Sequence, residues 1–189
     1  DGFNPRTITE SAEPIMSPAW SHDGQQIAYV SFESKVSAVY VQRLATGERR
    51  RVSARSGING APAWSPDGRQ LALTLSRDGN LDLYTLDLAT QSLTRITTDD
   101  AIDTEPEWAG DGRSLYFTSD RAGNAQVYRV ALDGAHHAER VTVTNGYNAR
   151  PRLSRDGKEL ALVTRDRGGY RIAVLDLDSR NLRVLTSGS

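Results

Sequence analysis

A single dipeptide recurs at a nearly constant period along the chain. Asp-Gly stands at Asp23-Gly24, Asp67-Gly68, Asp111-Gly112 and Asp156-Gly157, so successive copies lie 44, 44 and 45 residues apart. A fixed period of this length constrains the fold more than any compositional measure. Each copy must be one supersecondary unit that buries its apolar faces against neighbouring units. The columns around the dipeptide repeat as well. Upstream stand Pro18-Ala19-Trp20-Ser21, Pro62-Ala63-Trp64-Ser65, Pro106-Glu107-Trp108-Ala109 and Pro151-Arg152-Leu153-Ser154, which places all three tryptophans in one column. Downstream, seventeen residues after each Asp, stand Tyr40, Tyr84, Tyr128 and Ala173.

Within a unit the segments are short, rich in β-branched and aromatic residues, and bounded by turn formers, which is the pattern of strands. In the second unit, Ala61 to Trp64 is predicted as strand a and Ser65-Pro66-Asp67-Gly68 as a tight turn, where Pro presets φ and Gly accepts a positive one. Gln70 to Ser76 follows as strand b, Arg77-Asp78-Gly79-Asn80 as the next turn, Leu81 to Leu88 as strand c and Leu93 to Thr97 as strand d. Runs such as Leu71-Ala72-Leu73 leave neither sheet face wet, as in a sheet covered on both sides. Helical solenoids are excluded because no 3.6-residue apolar period exists. The fold class is therefore all-β, a β-propeller of four-stranded antiparallel blades, with the Trp and Tyr columns packing blade against blade.

The units run over residues 14–53, 54–97, 98–142 and 143–189. Residues 1–13 are expected to be the end of a preceding blade, because Asp1-Gly2 looks like a c–d turn and Arg6-Thr7-Ile8-Thr9 has the character of an outer strand d. Five d strands for four a-b-c sets point to an excerpt of a longer propeller, of six blades, with two unpaired flanks. Four blades closing on themselves is the competing arrangement.

Charge and composition narrow the function. A formal net charge of −1 gives no bulk attraction to nucleic acid or anionic membranes. The chain has no cysteine, hence no thiolate metal site and no cysteine nucleophile. No Gly-x-Ser-x-Gly elbow occurs, and His22, His136 and His137 fall in turns, so no catalytic residues are expected. Arg49-Arg50-Arg51 enters an outer strand, where alternating side chains point apart, and reads as a solvated edge.

The motif Pro-Ala-Trp-Ser-Pro-Asp-Gly-x-x-Leu-Ala at Pro62 to Ala72 resembles the propeller repeat of the TolB family and of its tricorn-type and prolyl-oligopeptidase-type relatives. The TolB family is the closer likeness. It is carried by Asp1-Gly2-Phe3-Asn4, Pro14 to Ser21, Tyr29-Val30-Ser31-Phe32-Glu33-Ser34, Asn59-Gly60-Ala61-Pro62, Thr104-Glu105-Pro106 and Thr118-Ser119-Asp120. The resemblance implies a non-catalytic interaction propeller of the periplasmic Tol–Pal envelope system, binding the lipoprotein Pal at a channel-mouth face for which bacteriocin translocation peptides compete. It also implies contact with TolA through an N-terminal domain absent from this chain, and weakened or lost Pal binding in a four-blade piece. The alternatives are the substrate-gating propeller of a serine peptidase and an excised fragment without native activity.

The resemblance places the partner surface on loops just before each strand a. The residues are Met16 and Ser17, then Asn59, Gly60 and Ala61, then Asp103, Thr104 and Glu105, then Asn148, Ala149 and Arg150. Ile58 departs from the family, whose members commonly carry His there, and that contact is not carried over. No cofactor is expected. Asp103, Glu105 and Glu107 offer hard oxygens near a channel mouth, which leaves Ca²⁺ in the channel as an option, although Ca²⁺ takes six to eight oxygen ligands.

Overall fold

In the computed structural model, which describes residues 5–144, 146–166 and 169–186, four antiparallel sheets of four strands follow one another along the chain, with no helix among the described residues. The first blade holds β1 (Ile15–Trp20), β2 (Gln26–Ser31), β3 (Ala38–Arg43) and β4 (Arg49–Ser53). The second holds β5 (Asn59–Trp64), β6 (Gln70–Leu75), β7 (Asp82–Asp87) and β8 (Leu93–Arg95). The third holds β9 (Asp103–Trp108), β10 (Ser114–Ser119), β11 (Gln126–Ala131) and β12 (Ala138–Arg140), and the fourth β13 (Tyr147–Leu153), β14 (Glu159–Asp166), β15 (Gly169–Asp176) and β16 (Leu182–Val184). Strands are hydrogen-bonded in chain order within every sheet. The first strands of successive blades, β1, β5, β9 and β13, approach one another and line the axis.

The Asp-Gly period is explained by one repeated turn. In each, the Asp Oδ1 accepts the backbone N–H two residues on, from Gln25, Arg69, Arg113 and Lys158 at 2.9, 3.0, 2.9 and 3.2 Å. In three of the four it also accepts from the hydroxyl of Ser21, Ser65 or Ser154. The following glycines have φ between +67° and +72°, a conformation that a side chain would strain. These bonds hold the carboxyls of Asp23, Asp67 and Asp156 below their ordinary range, with the serine hydroxyl contributing most.

Apolar side chains fill the seams between blades. Val30, Val39 and Val41 of the first blade meet Trp64, Leu73 and Tyr84 of the second. Ala72 and Leu83 meet Trp108, Leu115 and Phe117, and Tyr116 and Val127 meet Leu160, Leu162 and Leu175. The tryptophan column adds a directional bond to this packing. The Trp64 indole N–H donates to the Ala19 carbonyl at 3.0 Å and the Trp108 N–H to the Ala63 carbonyl at 3.1 Å, each reaching back to the preceding blade.

One expectation changes. Residues 5–11 form no strand, so Arg6 to Thr9 is not an outer strand here; all four c strands already pair with β4, β8, β12 and β16, leaving it no partner. Instead Ile8 packs on Ile27, Tyr29, Ala38 and Tyr40, and its carbonyl accepts from Gln42 Nε2 at 2.9 Å. The Asp1-Gly2 turn lies outside the described residues. Of the two arrangements considered for the blades, the closed ring of four is the one not observed. Every extensive inter-blade contact joins successive blades, and Tyr170, Ile172 and Val184 of the fourth blade are 60%, 43% and 48% exposed. The blades form an open arc.

Replacing Trp108 by Phe keeps an aromatic ring but removes the indole N–H donor and part of the buried ring, and a net loss of about 1 kcal/mol or more in unfolding free energy is expected in a denaturant titration. Leu73→Ala, at a fully buried seam position, is expected to cost about 2–5 kcal/mol. Equal, negligible losses for both variants would contradict this account of the seams.

Candidate functional site

Each inner strand is interrupted at the same place. Register shifts fall between Met16 and Ala19, between Gly60 and Ala63, between Thr104 and Glu107, and between Ala149 and Arg152. At each interruption one residue that is not glycine adopts a left-handed backbone: Ser17 (φ 52°), Ala61 (46°), Glu105 (56°) and Arg150 (58°). In each blade the next residue is proline, and Pro18, Pro62, Pro106 and Pro151 have no N–H to give the ladder. A bulge results, and bulges redirect side chains next to binding sites. Positive φ away from glycine costs about 1–3 kcal/mol and concentrates at functional positions.

The residues expected to bind a partner are these bulges and the positions leading into them. They belong to strand a itself, not to the loops before it, since β5 starts at Asn59, β9 at Asp103 and β13 at Tyr147. Within each triplet the roles divide. Asn59, Asp103 and Asn148 are buried, with at most 1% exposed. Their backbone N–H groups reach the preceding blade, donating to Ser37 Oγ, the Leu81 carbonyl and the Ala125 carbonyl at 2.8 Å each. Asn59 Oδ1 also accepts from Ser53 Oγ and the Arg55 N–H, and Asn148 Nδ2 donates to Gln126 Oε1. Gly60, Ala61, Thr104 and Glu105 are half-buried, Ala149 is buried, and Met16, Ser17 and Arg150 are exposed. The rim thus consists of Met16, Ser17, Gly60, Ala61, Thr104, Glu105 and Arg150, underpinned by the buried first members.

Polar contacts tie the rim across blades. Thr74 Oγ1 donates to Thr104 Oγ1 at 3.3 Å. Glu105 Oε1 pairs with Arg150 Nε at 2.8 Å, while its Oε2 accepts from Thr118 Oγ1, which in turn accepts the Arg150 N–H. Beneath them Arg121, from the β10–β11 turn, places Nη2 at 3.0 and 2.8 Å from the two Asp103 oxygens and at 2.8 Å from Asp99 Oδ2. Its guanidinium lies 4.9 Å from the Tyr128 ring centre and 5.4 Å from that of Phe117. Burial pushes the Asp103 carboxyl above its ordinary range, opposed by the Ser119 hydroxyl and by Arg121. The sequence reading missed Arg121 and Thr118 because both come from the neighbouring strand and turn, and only tertiary contact brings them to the rim.

The three carboxylates considered for Ca²⁺ are separately engaged. Asp103 faces Arg121, Glu105 faces Arg150, and Glu107 lies toward the other end of β9 near Arg152. No three His, Cys, Asp or Glu side chains are grouped to hold a metal ion among the described residues. His22 lies in the β1–β2 turn, and His136 and His137 between β11 and β12.

Comparison with known proteins agrees with the propeller fold. The family model of the TolB β-propeller domain matches residues 1–189. The chain belongs to the TolB β-propeller family. The Tol-Pal system protein TolB of Xanthomonas oryzae pv. oryzae (strain PXO99A) is 67% identical over 191 residues, covering 100% of this chain and 43% of the relative. The chain thus spans less than half the length of that TolB. The crystal structure of TolB from Acinetobacter baumannii superposes with a TM-score of 0.94 at 44% identity, covering 100% of this chain and 47% of the other. A puromycin-hydrolyzing peptidase of Mycobacterium tuberculosis, 18% identical with a TM-score of 0.72, shares the fold alone.

Arg121→Met leaves Asp103 buried without its counter-charge, and a loss of about 3–5 kcal/mol at neutral pH is expected. The sign with pH follows from the raised folded-state value. Protonated Asp103 favours the folded form, so this contribution is present below the ordinary carboxylate range and is lost as pH rises through the raised value. The deficit of the variant should therefore shrink on acidification. Denaturant titrations showing the same deficit at pH 4.5 and 7.5 would contradict the pairing.

Proposed function

We propose that the chain is a non-catalytic protein-binding propeller of the Tol–Pal system, acting in the periplasm, and that its rim of bulged inner strands contacts Pal. Family membership over the whole chain is the observation that carries this reading. Bacteriocin translocation peptides are competing occupants of the same rim, and TolA is reached through parts of the full-length protein outside this chain. The chemistry suits recognition. Left-handed residues hold backbone groups of strand a out of the ladder, while the buried Asn59, Asp103 and Asn148 keep them in place. Met16 offers apolar surface and Arg150 a charge that is 69% exposed. Rigid presentation of this kind lowers the ordering cost of binding.

Calorimetric titration with Pal tests the reading, using both this chain and the full-length protein that contains it. Arg150→Glu and Met16→Asp are each expected to weaken binding by about tenfold or more in the full-length protein, as removal of an interface anchor does. Substitution of Arg183, an exposed residue of the outer strand β16, is expected to change nothing. Undiminished Pal binding by both rim variants would overturn the assignment of the face, and no binding by the full-length protein would overturn the function.

A further inference from the structure

A second site lies at the opposite end of the inner strands. One position after each rim proline the column reads Ala19, Ala63, Glu107, with Arg152 in the fourth blade. Two small residues facing two long charged ones leave a cavity of about 230 Å³ at the axis, walled by Pro62, Trp64 and Trp108 and reached by Glu107 and Arg152.

The Glu107 side chain is only 24% exposed, yet its oxygens are poorly served. Oε1 accepts one backbone N–H, from Leu153, at 3.4 Å. Oε2 stands 3.5 Å from Arg152 Nη1, beyond a good charged hydrogen bond, and that nitrogen donates instead to the Pro151 carbonyl at 2.8 Å. Burial raises the Glu107 carboxyl above its ordinary range, opposed first by Arg152. Removing a carboxylate from water is costly unless close donors replace the water. A carboxylate has room for about four hydrogen bonds, so acceptor capacity remains open.

We infer that this axial cavity binds a guanidinium group, such as an arginine side chain, with Glu107 as its anion partner and Arg152 as a weak internal competitor. The nearby position of Arg152 shows that a planar guanidinium reaches this space. Its side chain is 62% exposed and is held by one hydrogen bond, to the Pro151 carbonyl, and the long contact to Glu107. A planar, weakly hydrated cation also suits walls of indole and proline, on which guanidinium groups stack, better than a compact ammonium does. The inference is independent of the rim reading, because none of Met16, Ser17, Gly60, Ala61, Thr104, Glu105 and Arg150 lines the cavity.

Nα-acetyl-arginine amide, titrated into the chain at pH 7.5 and followed by the indole N–H resonances of Trp64 and Trp108, tests it. Saturable shifts are expected, with the uncharged, nearly isosteric citrulline derivative binding about tenfold more weakly or worse, as loss of a charged hydrogen bond implies. Glu107→Gln should weaken the arginine derivative to the same extent, with its unfolding midpoint recorded to show that it folds. Arg152→Ala, at an exposed side chain, should tighten binding several-fold. Equal binding of the citrulline derivative, full binding by a folded Glu107→Gln, or weaker binding by Arg152→Ala would each overturn the proposal.

Discussion

Everything in this fold depends on sheets that are apolar on both faces. Leu71 and Leu73 point to one side of β6 and Ala72 to the other, and all three are fully buried only because the first and third blades cover them. A single blade would expose both faces to water, so stability arises at the seams and is shared between neighbours. At about 25 cal/mol per Å² of apolar surface removed from water, burial of each Leu or Phe at a seam contributes on the order of 2 kcal/mol. The indole bonds of Trp64 and Trp108 then fix the angle at which one blade follows the next.

The same need for contact shapes the proposed binding face. Inner strands must crowd round the axis, and the proline in each one prevents the ladder from running through. Where the ladder fails, Ser17, Ala61, Glu105 and Arg150 turn left-handed. The polar residues that begin the strands cross the seam to hold the bulges, Asn59 through its backbone N–H to Ser37 Oγ and Asp103 through its backbone N–H to the Leu81 carbonyl. Seam and rim are therefore one construction, and a residue such as Asp103 supports the rim by staying buried beneath it.

The sequence made the architecture readable wherever chemistry was local. Asp67-Gly68 specifies its own turn, and the Trp column marks one position per blade, so blade number and strand order followed from spacing. Local reasoning failed at the start of the inner strands. Asn59, Asp103 and Asn148 read as loop residues because their polarity suits water, whereas in the fold Ser53, Arg121 and Gln126 from other strands and turns satisfy their side chains. Arg6 to Thr9 failed for the complementary reason, since β propensity without a free partner edge makes no strand. The open acceptors of Glu107 were invisible too, because nothing nearby in sequence shows that Ala19 and Ala63 leave space opposite it.

The central claim, that the bulged ends of the inner strands form the partner surface, is tested most directly by mapping backbone amide shifts as Pal is added to the isotopically labelled full-length protein. The account predicts that the largest shifts within this region fall on Ser17, Gly60, Ala61, Thr104, Glu105 and Arg150. Shifts centred on the outer strands β4, β8, β12 and β16, with the rim unmoved, would contradict it.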